Sequence, residues 1–253
     1  MYALLLGWPA LASLHKGLFY LSGRALGLFN YISPRISGES HVIRTCLADK
    51  KSPVVFDVGA NEGQWTADVM ALEPTARVHA FEPQSRLANR IAAEQPGVKV
   101  NNMALGDAPG TLELGDYAEH AGSQHASLLK GVIDGIHHGA VTYTSVAVGT
   151  LDDYCTEHGI DHIDLLKIDV EGFELKVLQG AKRMLAERRL DVIQFEFNEM
   201  NVIGGTFLND FFVSLNDTHL LFRLLPHGLL PLKAGNHWLN EQFVFQNIIA
   251  FRR

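Results

Sequence analysis

A chain of 253 residues, 47% hydrophobic and 19% charged, can bury a sizeable core, which excludes an intrinsically disordered protein. Its formal net charge of -7 gives no support to nucleic-acid binding, which calls for a concentrated basic surface. The two cysteines, Cys46 and Cys155, form no close pair, so no redox motif or thiolate metal site is legible, nothing asks for an oxidising compartment, and a cytoplasmic protein is expected.

The N-terminal stretch differs from the rest. Residues 1–14 carry no charged side chain, and residues 18–32 are apolar apart from Arg24. A secretory leader would place basic residues before its apolar run, and none precede this one. His15 and Lys16 split the stretch into two runs, each shorter than the roughly 20 residues of a spanning helix. Residues 1–35 are therefore expected to form a helical extension, packed on the domain or on a partner subunit of a homo-oligomer. The other reading is a helix lying on a membrane, a peripheral contact through residues 1–32. The domain proper is expected over residues 36–253.

From Pro53 onward, strand patterns alternate with helical ones. Val54-Val55-Phe56-Asp57-Val58 is a short apolar run closed by Gly59, as in a buried parallel strand. Residues 62–72 read as a helix with Trp65, Val69 and Leu72 on one face, and Pro74 follows its end. Residues 77–81 read as a second strand, 85–94 as a second helix and 98–105 as a third strand. Residues 106–148, rich in Gly, His and Ser, lack sustained periodicity and read as loop and hairpin, with strands over 111–114 and 141–148. Alternation resumes with a strand over 163–170, a helix over 173–185, a strand over 192–197 and a helix over 206–215. Strands over 219–225 and 243–251 follow, joined by a connection containing Gly and Pro. This order predicts an α/β fold with a mostly parallel, doubly wound, Rossmann-like sheet. Such sheets bind ligands beyond the carboxyl ends of their strands, where strand order reverses.

The segment Asp57-Val58-Gly59-Ala60-Asn61-Glu62-Gly63 follows the first strand. Gly59 permits a tight turn, Gly63 lets the next helix start close to a ligand, and Asn61 can turn the chain and offer an amide. Asp57 is placed to hold a ligand ammonium or the loop amides. Glu82 ends the next strand, where a carboxylate can accept both hydroxyls of a ribose, as in dinucleotide and adenosyl sites.

Three ordered blocks resemble the FkbM-type methyltransferases: Phe56-Asp57-Val58-Gly59-Ala60-Asn61-Glu62-Gly63, Phe81-Glu82-Pro83, and Lys167-Ile168-Asp169-Val170-Glu171-Gly172 with Val177-Leu178-Gln179-Gly180-Ala181. The resemblance covers residues 52–251. It implies a class I methyltransferase fold with the last strand antiparallel, S-adenosylmethionine as donor, and O-methylation of a sugar, glycan or natural-product hydroxyl. Matched by position, Asp57, Gly59 and Asn61 fall in the family's cofactor loop and Glu82 on its ribose-binding acid. Ala104-Leu105-Gly106-Asp107 falls on the loop that lies near the adenine, with Asp107 as the candidate contact.

Methyl transfer to a hydroxyl requires alignment of the nucleophile and removal of its proton, or a metal that stabilises the alkoxide. Asp169 and Glu171 end the fourth strand of the alternating series, and Glu196 and Asn198 end the one beside it. Asp169, assisted by Glu196, is the candidate for orienting the acceptor, with Glu171 and Asn198 as substrate contacts. The same oxygens are candidates for holding a divalent cation, although no metal-ligand spacing stands out. Lys167, inside an apolar strand, either pairs with Asp169, lies near the substrate, or packs its stem and sends its head to solvent. His120, His125, His137 and His138 are reserve candidates for a general base, and Ser123 and Ser127 for substrate binding. His237 and Trp238, in the late connection, either pack within a helix or strand or cover the site. Two other readings compete. A nicotinamide-dependent dehydrogenase would use Glu82 too, but the Gly-x-Gly-x-x-Gly pattern is missing and no catalytic domain follows. A methyltransferase-like domain that binds without turnover is the non-enzymatic reading.

Overall fold

A computed structural model describes residues 2–117, 126–129 and 140–253. The chain opens with helices α1 (Tyr2–Leu6) and α2 (Ala12–Ala25), joined by a 3-10 turn, and continues through α3 (Pro34–Ser37) and α4 (Glu39–Leu47). Then come β1 (Val54–Val58), α5 (Gln64–Leu72), β2 (Arg77–Phe81), α6 (Ser85–Glu94) and β3 (Lys99–Asn101). A second group holds β4 (Ala104–Leu105), β5 (Gly110–Tyr117), β6 (Val141–Gly149) and α7 (Leu151–Glu157). The last part comprises β7 (Ile163–Ile168), α8 (Glu174–Gln179), α9 (Lys182–Ala186), β8 (Leu190–Phe197), α10 (Met200–Gly204), α11 (Leu208–Leu215), β9 (His219–Leu225), β10 (Gly228–Pro231), α12 (His237–Asn240) and β11 (Gln246–Arg252).

Eight strands form the main sheet in the order β10-β9-β11-β8-β7-β1-β2-β3. The run from β3 to β8 is parallel. The last strand, β11, is antiparallel and inserts between β8 and β9, and β10 adds an antiparallel edge. This is the class I methyltransferase arrangement. Strand order reverses between β1 and β7, so a ligand crevice is expected at their carboxyl ends.

Side-chain alternation along the strands builds two cores. Val54, Phe56 and Val58 of β1, with Leu166 and Ile168 of β7 and Phe195 and Phe197 of β8, pack against α7, α8, α9 and α11. In α11 the buried residues Leu208, Phe211, Phe212 and Leu215 recur at helical spacing, which is why that helix lies flat on the sheet. On the opposite face Val55, Leu165 and Val192 pack against Val42, Ile43 and Leu47 of α4 and Trp65 and Val69 of α5. On this second face the alternation places Asp57, Lys167 and Gln194 in register across β1, β7 and β8. A polar row thus crosses the apolar sheet just below its carboxyl edge.

Several expected elements are interrupted by tertiary contacts. The strand expected over 98–105 is two strands, because Asn102 bends the chain by donating to the carbonyls of Glu82 (3.0 Å) and Pro83 (2.9 Å). Its second half, β4, joins β5 and β6 in a separate three-stranded sheet. The helix expected over 173–185 breaks at Gly180, where a Cβ would lie 2.0 Å from the Gly106 carbonyl oxygen. Asp152 then accepts from the amides of Arg183 (2.7 Å) and Met184 (3.1 Å), which starts α9 afresh. Helix α7 went unread in the sequence; Thr150 caps it by accepting from the Asp153 amide at 3.1 Å. The connection between the last expected strands holds β10 and α12. At the N-terminus α1 and α2 are largely exposed, whereas Leu28, Val42, Ile43 and Leu47 are buried on the domain.

Candidate active site

The loop after β1 is shaped by close backbone approach. Gly59 has φ +84°, and a Cβ there would lie 1.9 Å from the Asp169 carbonyl oxygen. Only glycine allows the β1 and β7 loops to touch in this way. The amides of Gly59 and Ala60 both donate to the Phe81 carbonyl at 3.0 Å, binding the loop to the end of β2. Asn61 follows in the left-handed region, φ +49°, and its amide donates to Glu82 Oε2 at 2.8 Å. Glu82 Oε1 accepts from the Gln84 amide at 2.8 Å. Burial pushes the Glu82 carboxyl up to about 7, although these two amides oppose the shift. Each of its oxygens keeps acceptor capacity for a hydroxyl.

Glu82 lines a cavity of about 550 Å³ together with Gly59, Asn61, Asp169, Glu171, Glu196 and Asn198. Seven of the nine sequence-predicted site residues thus meet around one space, of a size typical for small-molecule sites. The other two are placed differently. Asp57 is fully buried, accepts from the Thr66 hydroxyl at 2.6 Å and faces Lys167 at 3.5 Å, so it lies behind the cavity wall. Asp107 is exposed, pairs with Lys176 at 2.7 Å and does not line the cavity.

Lys167 is buried, with its ammonium 3.1 Å from Asp169 and above the Trp65 ring. Burial opposes its charge, but the carboxylates of Asp169, Asp57 and Glu39 outweigh burial and raise its pKa. Its head therefore does not reach solvent. Glu39, the first residue of α4, also lines the cavity and was missed in the sequence. It accepts from Ser37 (2.7 Å) and Gln194 (2.9 Å), and burial raises its pKa. An acid at a helix start is common, and Glu39 lies outside every recognised motif, so no sequence signal marked it.

On the β8 side, Asn198 donates to Glu196 Oε1. Burial, and then the nearby carboxylates of Asp169 and Glu171, hold Glu196 well above the usual carboxylate range and favour its protonated form. Glu171 sits in a turn at φ +53° rather than on the strand, so its spacing from Asp169 is set by the loop. That loop is held by Glu174, another residue missed in the sequence, whose Oε1 accepts from the amides of Val170 (3.0 Å) and Gly172 (3.1 Å). Ser127 spends its hydroxyl on the Glu171 carbonyl at 2.8 Å. His237 and Trp238 do not line the cavity. His120, Ser123, His125, His137 and His138 lie outside the described residues.

Among the described residues, three metal-type ligand atoms within 4.8 Å of one another occur only at His162, Asp164 and Asp191, where β7 and β8 begin. There Lys50 already bridges both carboxylates at 2.6 Å. In the cavity the positive charge facing Asp169 comes from Lys167. Among the described residues, the cavity carboxylates do not form such a group.

The site has features that suit an adenosyl group: a buried acid with spare acceptor capacity, a glycine cradle and a roomy cavity. Comparison with known proteins agrees. A family model for the methyltransferase FkbM domain matches residues 57–222. The 2-O-methyltransferase NoeI of Sinorhizobium fredii is 30% identical over 190 residues, covering 68% of this chain and 74% of NoeI. The 31-O-demethyl-FK506 methyltransferase FkbM of Streptomyces tacrolimicus is 32% identical over 157 residues, 51% of this chain and 59% of that one. The methyltransferase sdnD of Sordaria araneosa is 31% identical over 157 residues, 51% of this chain and 60% of sdnD. The chain belongs to the FkbM family of S-adenosylmethionine-dependent methyltransferases.

Proposed function

We propose that the protein transfers a methyl group to a hydroxyl oxygen of a sugar, glycan or natural product. The observation that carries this reading is the meeting of Glu82, Asp169, Glu196 and Asn198 around one cavity at the reversal of strand order. The names of NoeI and FkbM, which specify oxygen positions, support the choice of oxygen.

S-adenosylmethionine supplies a methyl group already activated on sulfur. The chain must then place the acceptor in line with it and take up the acceptor's proton. Glu82 receives the ribose hydroxyls, and Gly59 and Asn61 shape the loop around the donor. Asp169 Oδ2 is held by Lys167 at 3.1 Å, which fixes the carboxylate and leaves Oδ1 for the acceptor hydroxyl. Protonated Glu196 donates to a neighbouring acceptor oxygen, and Asn198 and Glu171 complete the polar wall. Asp57 acts from behind the wall by fixing Lys167. Lys167 supplies the positive charge beside Asp169, so this reading requires no divalent cation.

Mass-spectrometric assay of methyl incorporation into a panel of hydroxylated glycosides and polyketides tests this reading. Asp169→Asn is expected to keep donor affinity within about twofold while lowering turnover roughly 100-fold or more. Near-normal turnover of Asp169→Asn would refute the role. Excess chelator is expected to leave turnover unchanged; loss restored by magnesium would overturn the cation-free version.

A further inference from the structure

Helix α2 turns a row of leucines away from its own domain. Leu14, Leu18 and Leu21 recur at helical spacing on one face of α2 and are 57, 49 and 66% exposed. The buried residue of α2 is Gly23, on the opposite face, where a Cβ would lie 2.8 Å from the Phe29 ring. Phe19 and Tyr20, beside Gly23, pack against the Phe29 ring, so the helix rests on the protein by that side and turns its leucines outward. Leu4, Leu5 and Trp8 extend the exposed apolar surface.

We propose that residues 1–32 dock the protein onto an anionic lipid bilayer surface. Charge selects this occupant. Residues 1–38 hold Lys16, Arg24 and Arg35 and no carboxylate, a net +3 in a chain of net -7, so the remainder carries -10. A second copy packed by two-fold symmetry would bring two net-positive segments together, whereas anionic headgroups complement that charge. Length selects the mode. The 14 residues of α2 span about 21 Å, short of the roughly 30 Å hydrocarbon core. Among the described residues no helix is long and apolar enough to cross a membrane. Trp8 and Tyr31 are exposed aromatics suited to headgroup depth.

The docking surface is continuous with the active site. The Phe29 amide donates to the Phe245 carbonyl at 2.9 Å, and Tyr31 packs edge-on against Phe245 at 5.9 Å. Tyr31, Pro34 and Phe245 line the cavity. Docking through α2 therefore sets the cavity mouth beside the headgroups.

Flotation of the full-length protein with phosphatidylcholine vesicles, with and without phosphatidylglycerol, tests the proposal. Flotation is expected with the anionic vesicles and is expected to weaken at high salt. The triple variant Leu14→Ser/Leu18→Ser/Leu21→Ser should lose roughly tenfold or more of the bound fraction, and Lys16→Glu/Arg35→Glu should erase the preference for anionic lipid. Calorimetric titration with S-adenosylmethionine should give the wild-type affinity for both variants, showing that the domain is folded. Failure of the wild-type protein to float would overturn the proposal, as would equal binding to neutral vesicles. Light scattering that shows a dimer reduced to a monomer by the triple variant, without flotation, would assign the face to a second copy and overturn it too.

Discussion

If Glu82 receives the ribose hydroxyls as proposed, donor binding is coupled to pH through its carboxyl. Burial lifts its carboxyl to about 7, and ribose hydroxyls that donate to it favour the ionised form. Above pH 7 the acceptor is ready. Below it, binding must first expel a proton, so affinity falls as pH falls. From pH 8 to pH 6 the fraction ionised drops about tenfold, which weakens S-adenosylmethionine binding about tenfold, or about 1.4 kcal/mol. Glu82→Ala removes the acceptor and is expected to cost about 1.5–3 kcal/mol at pH 8, with a flat pH profile between 6 and 8. It also deprives the amides of Asn61 and Gln84 of their partner, so the free protein melts lower. Calorimetry across pH 6–8, in buffers of different ionisation enthalpy, measures affinity and proton release together. If Glu82 only ties the loop, the variant melts lower but binds the donor as tightly as wild type. That result, or a pH-independent wild-type affinity, would refute the ribose role.

Further expectations follow from other contacts. Gly59→Ala places a methyl 1.9 Å from the Asp169 carbonyl oxygen in a left-handed backbone, and should cost about 2–4 kcal/mol in urea unfolding along with most donor affinity; a loss under about 1 kcal/mol would contradict the close approach of the two loops. Lys167→Met leaves the carboxylates of Asp57 and Asp169 without their cation and should destabilise by about 3–5 kcal/mol; wild-type stability would show that the pairing is not needed. Glu174 has a folded pKa near 7 against about 4.5 for the free side chain, so the folded state binds more protons between these values and its stability falls as pH rises through that window. Glu174→Gln should show a shallower loss over pH 4.5–7 than wild type in thermal melts, and parallel curves would refute the assignment.

Much of the architecture was legible because it is written locally. The runs Val54–Val58 and Arg77–Phe81 and the helix Ser85–Glu94 have the bounds that apolar pattern and flanking breakers indicate. The breaks at Asn102 and Gly180 were not legible, because each depends on a carbonyl distant in sequence: those of Glu82 and Pro83 for Asn102, and that of Gly106 for Gly180. The same holds for the site. Glu82 and Asp169 follow strands, so spacing alone points to them. Lys167 could be read as a snorkelling lysine until the register across the sheet set it beside Asp57. Glu39 reaches the cavity from a helix ahead of the first motif, a placement decided by how α4 packs over the sheet. Asp57 and Asp107 occupy the motif positions, yet their carboxylates are engaged by Lys167 with Thr66 and by Lys176.

The proposed function requires one cavity to hold the donor against Glu82 and present its methyl group to Asp169. A crystal structure with S-adenosylmethionine, or with S-adenosylhomocysteine as a stable product, measures this directly. Both ribose hydroxyls are expected within hydrogen-bond distance of the Glu82 carboxylate, with the sulfur directed toward the space between Asp169 and Glu196. A donor whose ribose lies away from Glu82, or whose sulfur points away from Asp169, would contradict the account.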